Sequence, residues 1–259
     1  MLRVPSGEIF SLTYFGKRRI FINSVDLLAE VCDEKRFSKN VAGPLAELRA
    51  GVHDGLFTAH PGEKNWEVAH RVLVPAFGPL HMKDMFDDMK DLASQLVLKW
   101  ARMGPDYCVP AVDDFTRLTL DTLALCAMSY RFNSFYKEDM HPFIDAMVNF
   151  LKIGGMKPLR LNVMAPFFRA EDQQFERSIK YMRDLSADLV KQRRQSPTQT
   201  KDLLNAMVNG KDPNTGESLT EDSIVDNMIT FLIAGHETTS GLLVSTYLKL
   251  YHCAISDRM

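Results

Sequence analysis

Glu237 and Thr238 stand side by side within one of the most apolar stretches of the chain, and that placement is where chemistry first shows. The run Met228-Ile229-Thr230-Phe231-Leu232-Ile233 is apolar nearly all round, and apolar residues resume at Leu242-Leu243-Val244. Between them lies a block of small and ionisable residues, Ala234-Gly235-His236-Glu237-Thr238-Thr239-Ser240-Gly241. Each buried polar group needs a partner, and each glycine weakens a helix by roughly 1 kcal/mol relative to alanine. Local conflict of this kind marks functional sites. Ala234 and Gly235 would let a flat ligand lie close to the backbone. The Thr238 hydroxyl can bond back to the Ala234 carbonyl, which distorts a helix and opens a groove for water or a small ligand. A carboxylate beside a hydroxyl is suited to relaying protons.

Two rival readings are weaker. His236-Glu237 begins a zinc-protease pattern, but the position that needs the second histidine is Ser240, so the two-ligand helix face is missing. A bare helix kink accounts for any single threonine; it accounts poorly for the whole block. Trp66 and His70 form a second pair, spaced to share one helix face. Their indole N–H and imidazole can both serve an anionic carboxylate, and a half-buried aromatic beside a surface histidine is the bland alternative. Arg71 points about 100° away on a helix and is the weaker candidate.

The elements that must position these residues are mostly helical. Residues 8–23 alternate as a β-hairpin around Phe15-Gly16-Lys17. Ser24 and Asp26 cap a helix through Val31, and Asn65 caps the run WEVAHRVLVPAF, with Pro75 a bend or end. Helical periodicity covers 80–103, 113–128, 141–153 and about 171–194, with Gly154-Gly155 read as a break. Lys211–Gly216 is a turn. The last helix begins near Thr220, where Ser218-Leu219-Thr220-Glu221 fits a capping box.

Composition bounds the function classes. The 259 residues are 46% hydrophobic and 25% charged with net charge −2, so nucleic acid and anionic membrane are not favoured partners. No apolar stretch is long enough to span a bilayer and the opening segment lacks a signal-peptide core, so the expected location is cytoplasmic. Cys32, Cys108, Cys126 and Cys253 match neither a zinc pattern nor a disulfide framework.

The segment Ala234–Thr239 resembles the A-G-x-[DE]-T-[TS] signature of the central helix in the cytochrome P-450 (haem-thiolate monooxygenase) family. The stretches DEKRFSKN, DGLFT, DDFTRLTLDTLALC, YRFNSFY and DLLNAMVNGKDPNTGESL are similar to one subgroup of it. That subgroup is the self-sufficient fatty-acid hydroxylases, whose haem domain is fused to a flavin reductase. The resemblance implies a mainly α fold with a small β-sheet, running from the hairpin to the oxygen-activating helix. It implies haem (heme) as cofactor, dioxygen and a fatty-acid-like molecule as substrates, and electrons from NADPH through FAD and FMN of a reductase. Glu237 and Thr238 would then support proton delivery. Trp66 and His70 would hold a haem propionate, and Ala234 and Gly235 would face the haem. Phe57 would control which substrate carbon approaches the iron. Lys17 and Phe21 fall where the subgroup holds the fatty-acid carboxylate with a basic residue and a tyrosine; Phe21 lacks the hydroxyl.

The family's thiolate loop is not found in the sequence. Cys253 lies in Tyr251-His252-Cys253-Ala254-Ile255 without the loop's glycines, and no glutamate has an arginine three residues later. No metal ligand is therefore assigned. The expectation is the N-terminal part of a haem monooxygenase domain over 1–259, without thiolate loop or reductase. The alternative is a non-catalytic fragment that does not hold haem stably.

Overall fold

The computed structural model describes residues 7–14 and 17–256; for 14, 17, 162, 164 and 251–256 it describes the backbone alone. The chain divides into two units, Met1–Asn40 and Val41–Met259.

In the first unit, strands β1 (Ile9–Tyr14) and β2 (Lys17–Ile22) pair antiparallel, with Phe10 opposite Phe21, Leu12 opposite Arg19 and Tyr14 opposite Lys17. Side chains alternate along a strand, so Arg19 and Phe21 share one face. The rings of Phe10 and Phe21 stack there with centroids 5.1 Å apart. The hairpin is as expected from alternation, although Lys17 belongs to the strand; Phe15 and Gly16, the expected turn, lie outside the described residues. Helix α1 (Val25–Val31) follows, capped by Ser24, whose hydroxyl accepts from the Leu27 N–H at 3.3 Å.

The second unit is helical: α2 (Pro44–Val52), α3 (Lys64–Leu73), α4 (Pro79–Asp84), α5 (Phe86–Met103), α6 (Ala111–Met128), α7 (Pro142–Met156), α8 (Arg169–Gln195), α9 (Leu203–Asn209) and α10 (Glu221–Ser256). Its core gathers Leu120, Met147, Phe150, Phe175, Met228 and Ile229, all fully buried. Helix α10 runs 36 residues and packs chiefly on α6 and α8. Thr220 caps it, its hydroxyl accepting from the Ser223 N–H at 3.2 Å, so the cap falls two residues later than the Ser218 box. Among the described residues no helix is long and apolar enough to cross a membrane.

Several boundaries differ from the periodic reading, each for a local reason. Asn65 does not cap α3; it is already helical, and its amide donates to Asp54 at 2.8 Å. The stripe over 80–103 is two helices joined at Met85, whose φ of −82° and ψ of −7° change the direction of the chain while its side chain stays buried. Helix α9, unforeseen, is anchored by buried Asp202, which caps the Asn205 N–H at 2.7 Å and takes both guanidinium nitrogens of buried Arg193 at 2.7 and 2.6 Å. Cys126 is core, and burial pushes its thiol up to about 11.

Gly154 and Gly155 do not break α7, which continues through both to Met156. A Cβ on Gly154 would stand 2.9 Å from Leu48 and 3.2 Å from Phe175, so this glycine lets α2 and α8 close on α7. Gly155 has nothing within 4 Å. Gly154→Ala is therefore expected to destabilise by about 1–3 kcal/mol through overpacking. Gly155→Ala should stabilise by up to about 1 kcal/mol through helix propensity. Urea unfolding midpoints of the two variants check this opposition of sign.

Candidate active site

Helix α10 changes environment along its length. Met228, Ile229 and Leu232 are buried, Phe231 and Ile233 are half-buried, and Ala234, Glu237, Thr238 and Thr239 are exposed. The Thr238 hydroxyl donates to the Ala234 carbonyl at 2.8 Å, the back-bond that the spacing allows. Ala234, Thr238 and Leu242 follow one another at four-residue spacing, forming an open stripe of a methyl, a hydroxyl and a leucine. Gly235 is turned elsewhere: a Cβ there would meet Leu123 of α6 at 2.8 Å, so glycine is needed at this position for α6 to approach.

His236 is buried inside the block, and among the described residues its Nδ1 has no hydrogen-bond partner. Burial pushes its imidazole below the usual histidine range, against the nearby Glu237 charge. Ser240 is buried on the same face and donates to the Glu237 carbonyl at 3.0 Å.

Phe57 lies in the loop between α2 and α3, and that loop is tied from several directions. Arg49 donates to the Thr58 carbonyl at 2.7 Å and pairs both nitrogens with Glu63 at 2.9 and 2.8 Å, which holds the Glu63 carboxyl below its usual range. The Thr58 hydroxyl donates to the His53 carbonyl at 2.8 Å. The Leu56 N–H donates to Asn227 of α10 at 2.9 Å. Buried Asp226 accepts from Arg183 and lies 3.1 Å from His53 Nδ1. Its burial raises the carboxyl pKa, with the Arg183 bond opposing. The Phe57 ring itself is exposed.

Trp66 and His70 do share one face of α3; their rings stack with centroids 4.7 Å apart at 20°. The Trp66 indole N–H donates to the Leu56 carbonyl at 3.2 Å, while the His70 ring is exposed. Arg71 turns away to grip Asp212 at 2.8 Å through each of two nitrogens, holding that carboxyl well below the usual range and pinning the Lys211–Gly216 turn. Lys17 and Phe21 stay on the β2 face of the first unit, with the Lys17 side chain outside the described residues. The structure thus brings Trp66, His70 and the peptide preceding Phe57 together, and joins that peptide to the helix carrying Ala234, Glu237 and Thr238.

The family model for cytochrome P450 matches residues 2–253. The chain belongs to the cytochrome P450 family. It is 58% identical to a bifunctional cytochrome P450/NADPH–P450 reductase of Aspergillus oryzae over 94% of its own length and 22% of that protein's. Self-sufficient cytochrome P450 monooxygenases of Exserohilum turcicum and Phanerodontia chrysosporium are 54% and 50% identical, over 92% and 94% of this chain and 22% and 23% of theirs. The chain therefore spans less than a quarter of the length of these relatives.

Sequence reasoning missed Asn227, His53 and Arg183 as organisers of this region. The available signal was the polar pair Asp226-Asn227 set immediately before the apolar run, where burial forces each to find a partner. A pH dependence follows from His236 and from His141, whose Nδ1 accepts from the Phe143 N–H at 3.2 Å and whose pKa burial also lowers. Both folded-state values lie below the ordinary one of ~6.5, so the neutral rings stabilise the fold above that pH, and this contribution is lost as pH falls below it. The urea midpoint should drop between about pH 7.5 and pH 5.5. His236→Leu should flatten part of that drop; an unchanged slope in this variant would remove His236 from the account.

Proposed function

We propose that the open stretch of α10 is the oxygen-side wall of a haem monooxygenase pocket that hydroxylates a fatty-acid-like substrate with electrons from a flavin reductase. The observation that carries this reading is the Thr238–Ala234 back-bond, set in an exposed stripe in mid-helix, just past the buried first part of α10. Family membership supports it, as do the reductase and monooxygenase names of the relatives.

The chain's own residues fit a planar macrocycle on this side. Ala234 presents only a methyl, and Thr238 has folded its hydrogen into its own helix, so the stripe offers a flat face without an unmatched donor. Gly235 serves packing on α6 and is not part of that face. His70 offers an exposed ring to a propionate, whereas Trp66 has one N–H and already gives it to Leu56, so a carboxylate there must displace that carbonyl. When bound, haem supplies the redox chemistry that activates dioxygen for insertion into a C–H bond.

Proton handling falls to Glu237 and Thr238. The Thr238 oxygen keeps its lone pairs open while its hydrogen is held by Ala234. It can accept a proton from water and release its own only by breaking the back-bond, which couples transfer to a small local change of the helix. Glu237, exposed one residue earlier, is the carboxylate that exchanges protons with solvent. Phe57 is assigned the substrate side; the roles of Lys17 and Phe21 toward a fatty-acid carboxylate rest on the family resemblance alone.

Thr238→Ala should lower product formed per NADPH by about 100-fold or more while Thr238→Ser retains most of it. Because the threonine is exposed and its back-bond contributes little, stability should stay within about 0.5 kcal/mol in both. A carbon monoxide difference spectrum of the reduced chain after haem addition tests the reading at its root. A thiolate-type band supports it directly. Failure to take up haem favours a second reading, a non-catalytic chain that associates through exposed apolar residues such as Leu242, Leu248 and Leu250.

A further inference from the structure

The Leu56 peptide is gripped on both sides. Its N–H donates to Asn227 Oδ1 at 2.9 Å and its carbonyl accepts from Trp66 Nε1 at 3.2 Å. Asn227 is fully buried, and its Nδ2 donates back to the Ser223 carbonyl at 2.7 Å. Those two bonds fix the amide's orientation, because a flip would set N–H against N–H and carbonyl against carbonyl. Gly55 makes the approach possible: a Cβ there would stand 3.0 Å from Thr230 Oγ1 and 3.4 Å from the Asp226 carbonyl.

The cost of this arrangement argues for a use beyond packing. Asn227 lies in the buried first part of α10, where Val225, Met228 and Ile229 are buried as well. A buried amide is retained there, and its free oxygen goes to a loop rather than to its own helix. The residue after the gripped peptide is Phe57, whose ring is 51% exposed although its backbone is anchored. Asn227 and Ala234 are two turns apart on α10, so roughly 10 Å of one rigid helix separates the grip from the reactive stretch.

We infer that Asn227 is a positioning residue that acts through Leu56, holding the Phe57 backbone at a set distance from Ala234–Thr239. Phe57 then has only its side-chain torsions to vary, and the register of α10 decides where its ring stands. The role given to Phe57 rests on the monooxygenase reading above; the grip on Leu56 does not.

Amide exchange of the whole chain tests the grip without haem, using Asn227→Leu, which removes the acceptor, and Asn227→Asp, which keeps it and, protonated in its buried site, still donates to the Ser223 carbonyl. In Asn227→Leu the Leu56 amide should exchange about tenfold faster or more while α6 amides stay protected, and chymotrypsin should cut sooner after Phe57. Asn227→Asp should restore both. Leu56 exchange within twofold of the parent, with α6 protected, would overturn the inference. Should Asn227→Leu lose protection throughout, Asn227→Ser decides: its shorter side chain falls out of reach of the Leu56 N–H, and unchanged Leu56 exchange with α6 protected overturns the grip. The functional arm supplies haem, a flavin reductase, NADPH and dodecanoic acid. Asn227→Leu should shift the position of hydroxylation and Asn227→Asp should not. Faster exchange with an unshifted product pattern overturns the positioning role. No product from the parent chain defeats the monooxygenase reading, and the exchange rates still decide the grip.

Discussion

Burying the first half of α10 is the constraint from which the site is built. Met228, Ile229 and Leu232 remove that segment from water. The polar residues among and before them must then be satisfied by protein. Asp226 recruits Arg183 from α8 and His53 from the end of α2; Asn227 recruits Leu56; Thr230 bonds back to the Asp226 carbonyl at 2.7 Å. Two of these partners, His53 and Leu56, draw the 53–63 loop onto the helix. The loop is ordered by the needs of the helix as much as by its own Arg49–Glu63 pair. Beyond Ile233 the constraint relaxes, and the same helix opens.

That gradient accounts for what was legible in the sequence. The all-apolar run and the polar block are adjacent in the chain, so the change of environment is written in order. The back-bond from Thr238 to Ala234 spans one helical turn and follows from spacing alone. The Trp66–His70 stack is equally local. The Leu56–Asn227 bond joins residues 171 positions apart, and Arg71–Asp212 joins residues 141 apart. Periodicity carries no information about such pairings. The same limit explains the glycines of α7. The pair Gly154-Gly155 reads as a break because glycine weakens a helix, yet at Gly154 tertiary contact with Leu48 and Phe175 decides the matter. Gly235 is the counterpart: its small size suggested room for a ligand, and Leu123 occupies that room.

Two of the donors at the candidate site are already engaged. Trp66 gives its single N–H to Leu56, and Thr238 its single hydroxyl hydrogen to Ala234. An acceptor arriving at either replaces an existing bond. Exchange of one hydrogen bond for another is worth only about 0.5–1.5 kcal/mol net. Affinity on this face must therefore come from apolar contact, at roughly 25 cal/mol per Å² buried, along the stripe of Ala234 and Leu242 and at exposed rings such as Phe57. The hydrogen bonds then act as selectors of orientation. A ligand that takes the Trp66 proton removes the indole bond from the peptide before Phe57, whereas one held by His70 leaves that bond in place. Which ring nitrogen or indole meets an incoming carboxylate is for this reason also a choice about how firmly Phe57 is held.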